Sequence, residues 1–119
     1  MALIITEEYG VKVVVFDMPT LLDQADIDSV GEQLFDLVDS QARRKILLDF
    51  RKVRLLSSSM LGTLIQLNKK SKAIKGKVVL CGLRPDVRKV LRTTKLDKLL
   101  EIAEDEDQAM GSFRAIGSD

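Results

Sequence analysis

Apolar positions open the chain in short runs and later change period. Leu3 to Thr6 and Val11 to Phe16 are rich in β-branched residues and are separated by Glu7-Glu8-Tyr9-Gly10. That pattern predicts two strands joined as a hairpin that turns at Gly10. Asp17-Met18-Pro19-Thr20 ends the second strand, because proline cannot donate to a ladder. From Asp23 onward Ile27, Val30, Leu34, Leu37 and Val38 recur at helical spacing, with Asp28, Glu32, Gln33 and Asp36 between them. Asp23 suits the N-cap of this helix, and acids in its first turn complement the helix dipole.

The rest of the chain alternates in type. Ile46 to Phe50 reads as a buried strand with basic flanks. Ser57-Ser58-Ser59 follows, and Met60, Leu61, Leu64, Ile65 and Leu67 predict a helix ending near Ile74-Lys75-Gly76, with Gly76 as its C-terminal stop. Lys77 to Cys81 is the next strand. Arg84-Pro85-Asp86 opens a further helix with Val87, Val90 and Leu91 facing inward. Leu96, Leu99, Leu100 and Ile102 lead through a short helix or strand, and Asp105 caps a last helix carrying Ala109, Met110 and Phe113. The order ββαβαβα, then β and α, predicts one α/β domain over residues 1–119. Its mixed sheet has about four to five strands, packed against about four helices. Neither a linker nor a repeat interrupts it.

Composition narrows the chemistry. The chain has no histidine, which removes Ser-His-Asp and Cys-His catalysis and imidazole metal sites. Its one cysteine, Cys81, forbids an internal disulfide and a thiolate metal cage. At a strand end among apolar neighbours, Cys81 reads as an inert core thiol. Neither a phosphate loop nor a dinucleotide fingerprint can be written through the seven glycines. A binding module is expected, without catalytic residues, metal or cofactor. The start, Met1-Ala2-Leu3-Ile4-Ile5, lacks the basic residues and long apolar stretch of a signal peptide. No segment approaches the roughly 20 apolar residues of a membrane span, so a cytoplasmic location is expected.

The formal charge of +1 hides strong segregation. Residues 1–42 hold nine acids against Lys12, and residues 43–98 hold seventeen Lys and Arg against three acids. Residues 99–119 return to six acids against Arg114. Aromatics do not interleave with the bases, as stacking on nucleotides requires, so direct nucleic-acid binding is not expected.

The serine run is the outstanding candidate site. One hydroxyl there can cap the helix, contributing roughly 1 kcal/mol. The free N–H groups and positive dipole end also suit an anion, and a phosphoserine would bring nearly two negative charges. Arg51, Lys52 and Arg54 stand just ahead, so a phosphate is expected to enter a basic neighbourhood.

Strand Ile46 to Phe50, then Val53, Leu55, Leu56, Ser57-Ser58-Ser59, Met60-Leu61-Gly62 and Leu64 resembles the signature of STAS domains, the bacterial anti-sigma factor antagonists. In that family an apolar strand ending in Asp is followed by Asp-Ser-Ser/Thr-Gly-Leu-Gly. Leu22-Asp23 resembles the family's Gly-x-Leu-Asp. Gly76 to Leu83 with Pro85 and Val87 to Leu91 resembles its later strand and helix, and Leu96 to Ile102 with Asp105 to Ala109 its closing segment. The resemblance implies Ser58 as phosphoacceptor, with Ser57 and Ser59 as rivals. It implies a partner surface at Leu22, Asp23, Ser57, Ser59, Met60, Leu61 and Gly62. The implied partners are a serine protein kinase that is also the anti-sigma factor, and a serine phosphatase that resets the switch. Ser57 stands where Asp is usual, Met60 where Gly is usual and Thr20 where the turn glycine is usual. Met60 is expected to add bulk on the docking face. These departures leave a second reading, a non-phosphorylated scaffold or small-anion-binding module.

Overall fold

The computed structural model describes residues 3–115, so the expected domain limits, at residues 1 and 119, lie outside the described residues. Strands β1 (Leu3–Glu8) and β2 (Val11–Phe16) pair antiparallel in register from Leu3↔Phe16 to Glu8↔Val11. Pairing runs two residues past Thr6, up to the turn. Tyr9 and Gly10 both have positive φ, 53° and 79°, the condition for a two-residue turn whose twist matches the strands. Glu7 is held there by Lys12 at 3.5 Å and Arg43 at 3.1 Å.

The remaining elements are β3 (Thr20–Leu21), α1 (Gln24–Asp39), β4 (Lys45–Asp49), β5 (Leu55–Leu56), α2 (Ser58–Ala73), β6 (Lys77–Cys81), α3 (Pro85–Thr93), β7 (Glu101–Ala103) and α4 (Glu106–Ser112). Short 3-10 turns cover Leu96–Lys98 and Phe113–Ala115. The main sheet has the order β1-β2-β4-β6-β7, antiparallel only at the opening hairpin. Five strands in a mixed sheet and four α-helices agree with the expected α/β class. A second, two-stranded sheet pairs β3 with β5 in parallel. It was not expected, because two residues are too few to show a period.

Each crossover helix returns to the same side of the sheet, as right-handed connections require. The larger core lies there. It joins Val14 and Phe16 of β2, Ile46 and Leu48 of β4, and Val78 and Leu80 of β6 to the inward residues of α1, α2 and α3. Phe16 and Phe50 stack at its centre, with ring centroids 4.5 Å apart. On the other side, Val11, Val13, Leu47, Val79 and Cys81 pack with Ala103, Ala109 and Phe113, under α4. Strands β4 and β6 are therefore buried on both faces. That is why they read as unbroken apolar runs rather than alternation.

Two sequence expectations need correction. Val90 does not face inward but is 40% exposed, because α3 buries only the narrow stripe of Val87 and Leu91. Gly76 is not the left-handed stop of α2. That conformation falls on Lys75, at φ 61°. The Gly76 N–H donates to the Ser71 carbonyl at 2.8 Å and the Lys75 N–H to Lys72 at 3.0 Å, closing the helix in a Schellman arrangement. Gly76 is needed for proximity. A Cβ there would lie 2.7 Å from Ser71 Oγ and 2.9 Å from the Arg44 carbonyl.

Opposite effects are expected at these two neighbours in urea unfolding. Gly76→Ala should destabilise by about 2 kcal/mol through overpacking against backbone. Lys75→Gly should stabilise by up to about 1 kcal/mol by removing the left-handed strain of a residue with a Cβ.

Candidate functional site

Strands β3 and β5 run in parallel, and each leads into a helix within three residues. The N-termini of α1 and α2 therefore open at the same end of the molecule, side by side. The joint is made by backbone. Arg54 N–H donates to the Pro19 carbonyl at 2.8 Å, and Ser57 N–H donates to the Leu21 carbonyl at 3.0 Å. Pro19, directly ahead of β3, thus supplies the acceptor that begins this pairing.

Each helix is capped from its own sequence. Asp23 Oδ1 accepts from the Ala25 N–H at 2.8 Å, as its position ahead of α1 predicts. Ser57 is the N-cap of α2, its hydroxyl accepting from Met60 N–H at 3.3 Å. That assigns the three serines different roles. Ser57 is half-buried and its hydroxyl is engaged. Ser58 and Ser59 are exposed, and neither hydroxyl makes a hydrogen bond among the described residues. Their N–H groups, at the first two helical positions, have no intrahelical acceptor. The Ser59 carbonyl accepts from Thr63 Oγ1 at 3.2 Å.

Exposed apolar groups flank the serines. Leu22, next to Asp23, is 53% exposed, and Leu55, two residues before the cap, is 54% exposed. Leu55 was missed as a surface residue. Its neighbours Val53 and Leu56 are apolar as well, and the sequence does not distinguish it from the buried Val53. Gly62 lies one turn after Ser58, and a Cβ there would have nothing within 4 Å. It leaves the helix surface bare beside Ser58 at no demand from the fold.

Two expectations about this surface change. Met60 adds no bulk to it, since its side chain is completely buried and packs in the larger core. Leu61 is also buried, so both side chains support the first turn of α2 from below. The basic neighbourhood is largely neutralised already. Arg51 is bound to the buried Asp49 carboxylate at 2.8 Å, a contact that raises the arginine's pKa further. Lys52 pairs with Asp17 at 2.7 Å. Of the three bases, Arg54 alone makes no ion pair among the described residues.

Cys81 ends β6 beside Asp49. Burial, and secondarily the Asp49 carboxylate, push its thiol up to about 12. A thiol held so far above neutral supplies no thiolate nucleophile. Among the described residues no group of three His, Cys, Asp or Glu is placed to hold a metal ion. No described helix is long and apolar enough to cross a membrane.

This arrangement has relatives. The family model of the STAS domain matches residues 3–109. A curated protein of Bordetella bronchiseptica, named as the anti-sigma factor antagonist BtrV, is 24% identical over 94 residues, covering 79% of this chain and 80% of its own. Among solved structures, an anti-sigma factor antagonist from Mycobacterium paratuberculosis superposes with TM-score 0.83 at 20% identity, covering 95% of this chain and 93% of that one. The Bacillus cell-fate determinant SpoIIAA, in its phosphorylated form, superposes with TM-score 0.72 at 19% identity, covering 95% and 100%.

Chemical unfolding should separate the roles of the serine-run residues. Ser57→Ala is expected to lose about 1 kcal/mol with its cap, whereas Ser58→Ala should change stability little. Gly62→Ala should gain up to about 1 kcal/mol, since a mid-helix glycine is tolerated there without a steric reason. Cys81 should resist a thiol-specific disulfide reagent at pH 8 while the chain is folded and react promptly once it is unfolded. Fast labelling of the native protein would contradict its burial.

Proposed function

The chain belongs to the STAS domain family, and on that premise we propose that it is an anti-sigma factor antagonist, a phosphorylation-switched binding module rather than an enzyme. The observation that carries this reading is the exposed, unbonded Ser58 hydroxyl at the first position of α2, flanked by Leu22, Leu55 and bare Gly62. The neighbour solved in a phosphorylated form lends the modification support.

In the unphosphorylated state the partner is a serine protein kinase that doubles as the anti-sigma factor, acting in the cytoplasm where ATP is available. Leu22 and Leu55 supply apolar contact, and Gly62 lets the partner's backbone approach α2. Docking presents Ser58 Oγ to the γ-phosphoryl group of ATP. The oxygen takes the phosphoryl group, the hydroxyl proton is released and ADP departs. Ser57 is a poorer acceptor because its oxygen already caps Met60 N–H.

The phosphorylated form keeps its fold. A phosphate at the first helical position faces free N–H groups and the positive end of the helix dipole, both stabilising. What changes is the surface. About two negative charges arrive at the centre of an apolar contact, near the N-cap Asp23, and of Arg51, Lys52 and Arg54 just ahead only Arg54 makes no ion pair among the described residues. Docking is lost by desolvation and repulsion, and hydrolysis by a serine phosphatase restores it.

The partner kinase, recovered by pull-down from the source organism, should phosphorylate the chain with ATP at Ser58, located by mass spectrometry. Ser58→Ala should accept no phosphate, and Ser58→Asp should bind the kinase at least about tenfold more weakly, a difference of about 1.4 kcal/mol. Phosphate transfer that persists in Ser58→Ala would sink the assignment. Undiminished binding by Ser58→Asp would instead identify a non-phosphorylated scaffold.

A further inference from the structure

Helices α1, α2 and α3 form one layer in the order of the strands they connect, so α1 and α3 occupy opposite flanks. Helix α1 spans the step from β2 to β4, and α3 the step from β6 to the β7 edge. The two flanks have opposite charge. Helix α1 contains five acids and no Lys or Arg. Helix α3 and the turn after it expose Lys89, Arg92, Lys95 and Lys98, with Asp86 and Asp97 as the acids.

Little of this is neutralised within the molecule. Asp39 pairs with Lys70 at 2.9 Å and Arg88 with Glu104 at 3.2 Å. Asp28 and Asp36 accept only from the neutral amides of Gln24 and Gln41. Among the described residues, none of Asp26, Asp28, Glu32 and Asp36 is in an ion pair, nor is any of the four bases on the other flank. Asp28, Glu32 and Asp36 follow one another at spacings of four, on the side of α1 away from its buried residues. Like charges at that spacing repel along a helix, destabilising it by a few tenths of a kcal/mol per pair. Folding of one molecule gives no reason for the row. The basic flank also exposes Val90 at 40% and Leu99 at 56%, apolar surface that a partner could cover.

We propose that the basic α3 flank of one copy docks on the acidic α1 flank of a second copy, so that the protein associates head to tail. The charge complementarity selects this occupant: four unpaired bases face four unpaired acids that the chain itself carries. A polyanion would meet the same basic flank, but the acidic flank would then remain without a role. The contact joins two different surfaces, so each added copy leaves one flank of each sign open. Growth into short filaments or rings follows, not a closed two-fold dimer.

Sedimentation of the full chain tests this across salt. At about 0.01 M salt, where charges act over about 30 Å, the average mass should rise with concentration beyond two copies. At about 1 M, where the range is about 3 Å, it should return to one copy. Two neutralised variants give the decisive arm, one with Asp28→Asn, Glu32→Gln and Asp36→Asn, the other with Lys89→Gln, Arg92→Gln and Lys95→Gln. All six positions are solvent-facing or partly so, and circular dichroism confirms the fold of each variant. Each variant alone should stay monomeric at low salt. Their equimolar mixture should form a one-to-one complex that does not grow, because a single native interface remains. A wild-type chain that is monomeric at low salt overturns the proposal, even if it is retained on a polyanion such as heparin. So does association of either variant alone, or failure of the two to pair.

Discussion

The N-termini of α1 and α2 lie together because the loops before them are stitched by main-chain hydrogen bonds, from Arg54 to Pro19 and from Ser57 to Leu21. These bonds use carbonyls and amides that would otherwise be left without partners where the chain leaves the main sheet. Strands β3 and β5, two residues each, are the visible result. Without the joint, Asp23 and the serine run would sit at the ends of independent loops. With it, two capped helix ends and two exposed leucines form one surface.

What supports that surface from below is the larger core. Met60 and Leu61 anchor the first turn of α2 with buried side chains, which leaves Ser58, Ser59 and Gly62 facing outward at fixed positions. A helix start anchored in this way holds its exposed side chains at fixed positions, independent of the loop that precedes it. The same layering of helices on one face separates the acidic α1 from the basic α3, and gives the molecule a charge axis across the sheet.

Much of this was legible in the amino-acid order. The strands β1, β2, β4 and β6 and the helices α1 and α2 follow from apolar runs and periods long enough to be unambiguous. Asp23 was readable as a cap because Ile27 and Val30 set the helix phase behind it. The serine run was readable as a helix start, though which serine capped it was not. Three hydroxyls in a row have the same local chemistry, and only the direction of the incoming strand selects Ser57. Val90 was placed on the wrong face, and Leu55 on no face at all, for one reason. An apolar residue on a short element has too few neighbours in sequence to reveal which face it takes. Lys75 took the left-handed position next to an available glycine because Gly76 was needed against Arg44 and Ser71.

The sequence by itself determined the α/β class, the order of the main elements, the resemblance to STAS domains and the segregation of charge, since these depend on local period and composition. The tertiary structure decided what those charges and hydroxyls face. Asp17 neutralises Lys52 across 35 residues of sequence while Asp49 holds Arg51 two residues on, so the +1 balance conceals Arg54, without an ion pair among the described residues, near Ser58 and a dipolar pair of flanks farther away. Pairing of that kind is set by distance in space, and distance in space is fixed only when the sheet order places each helix on its flank.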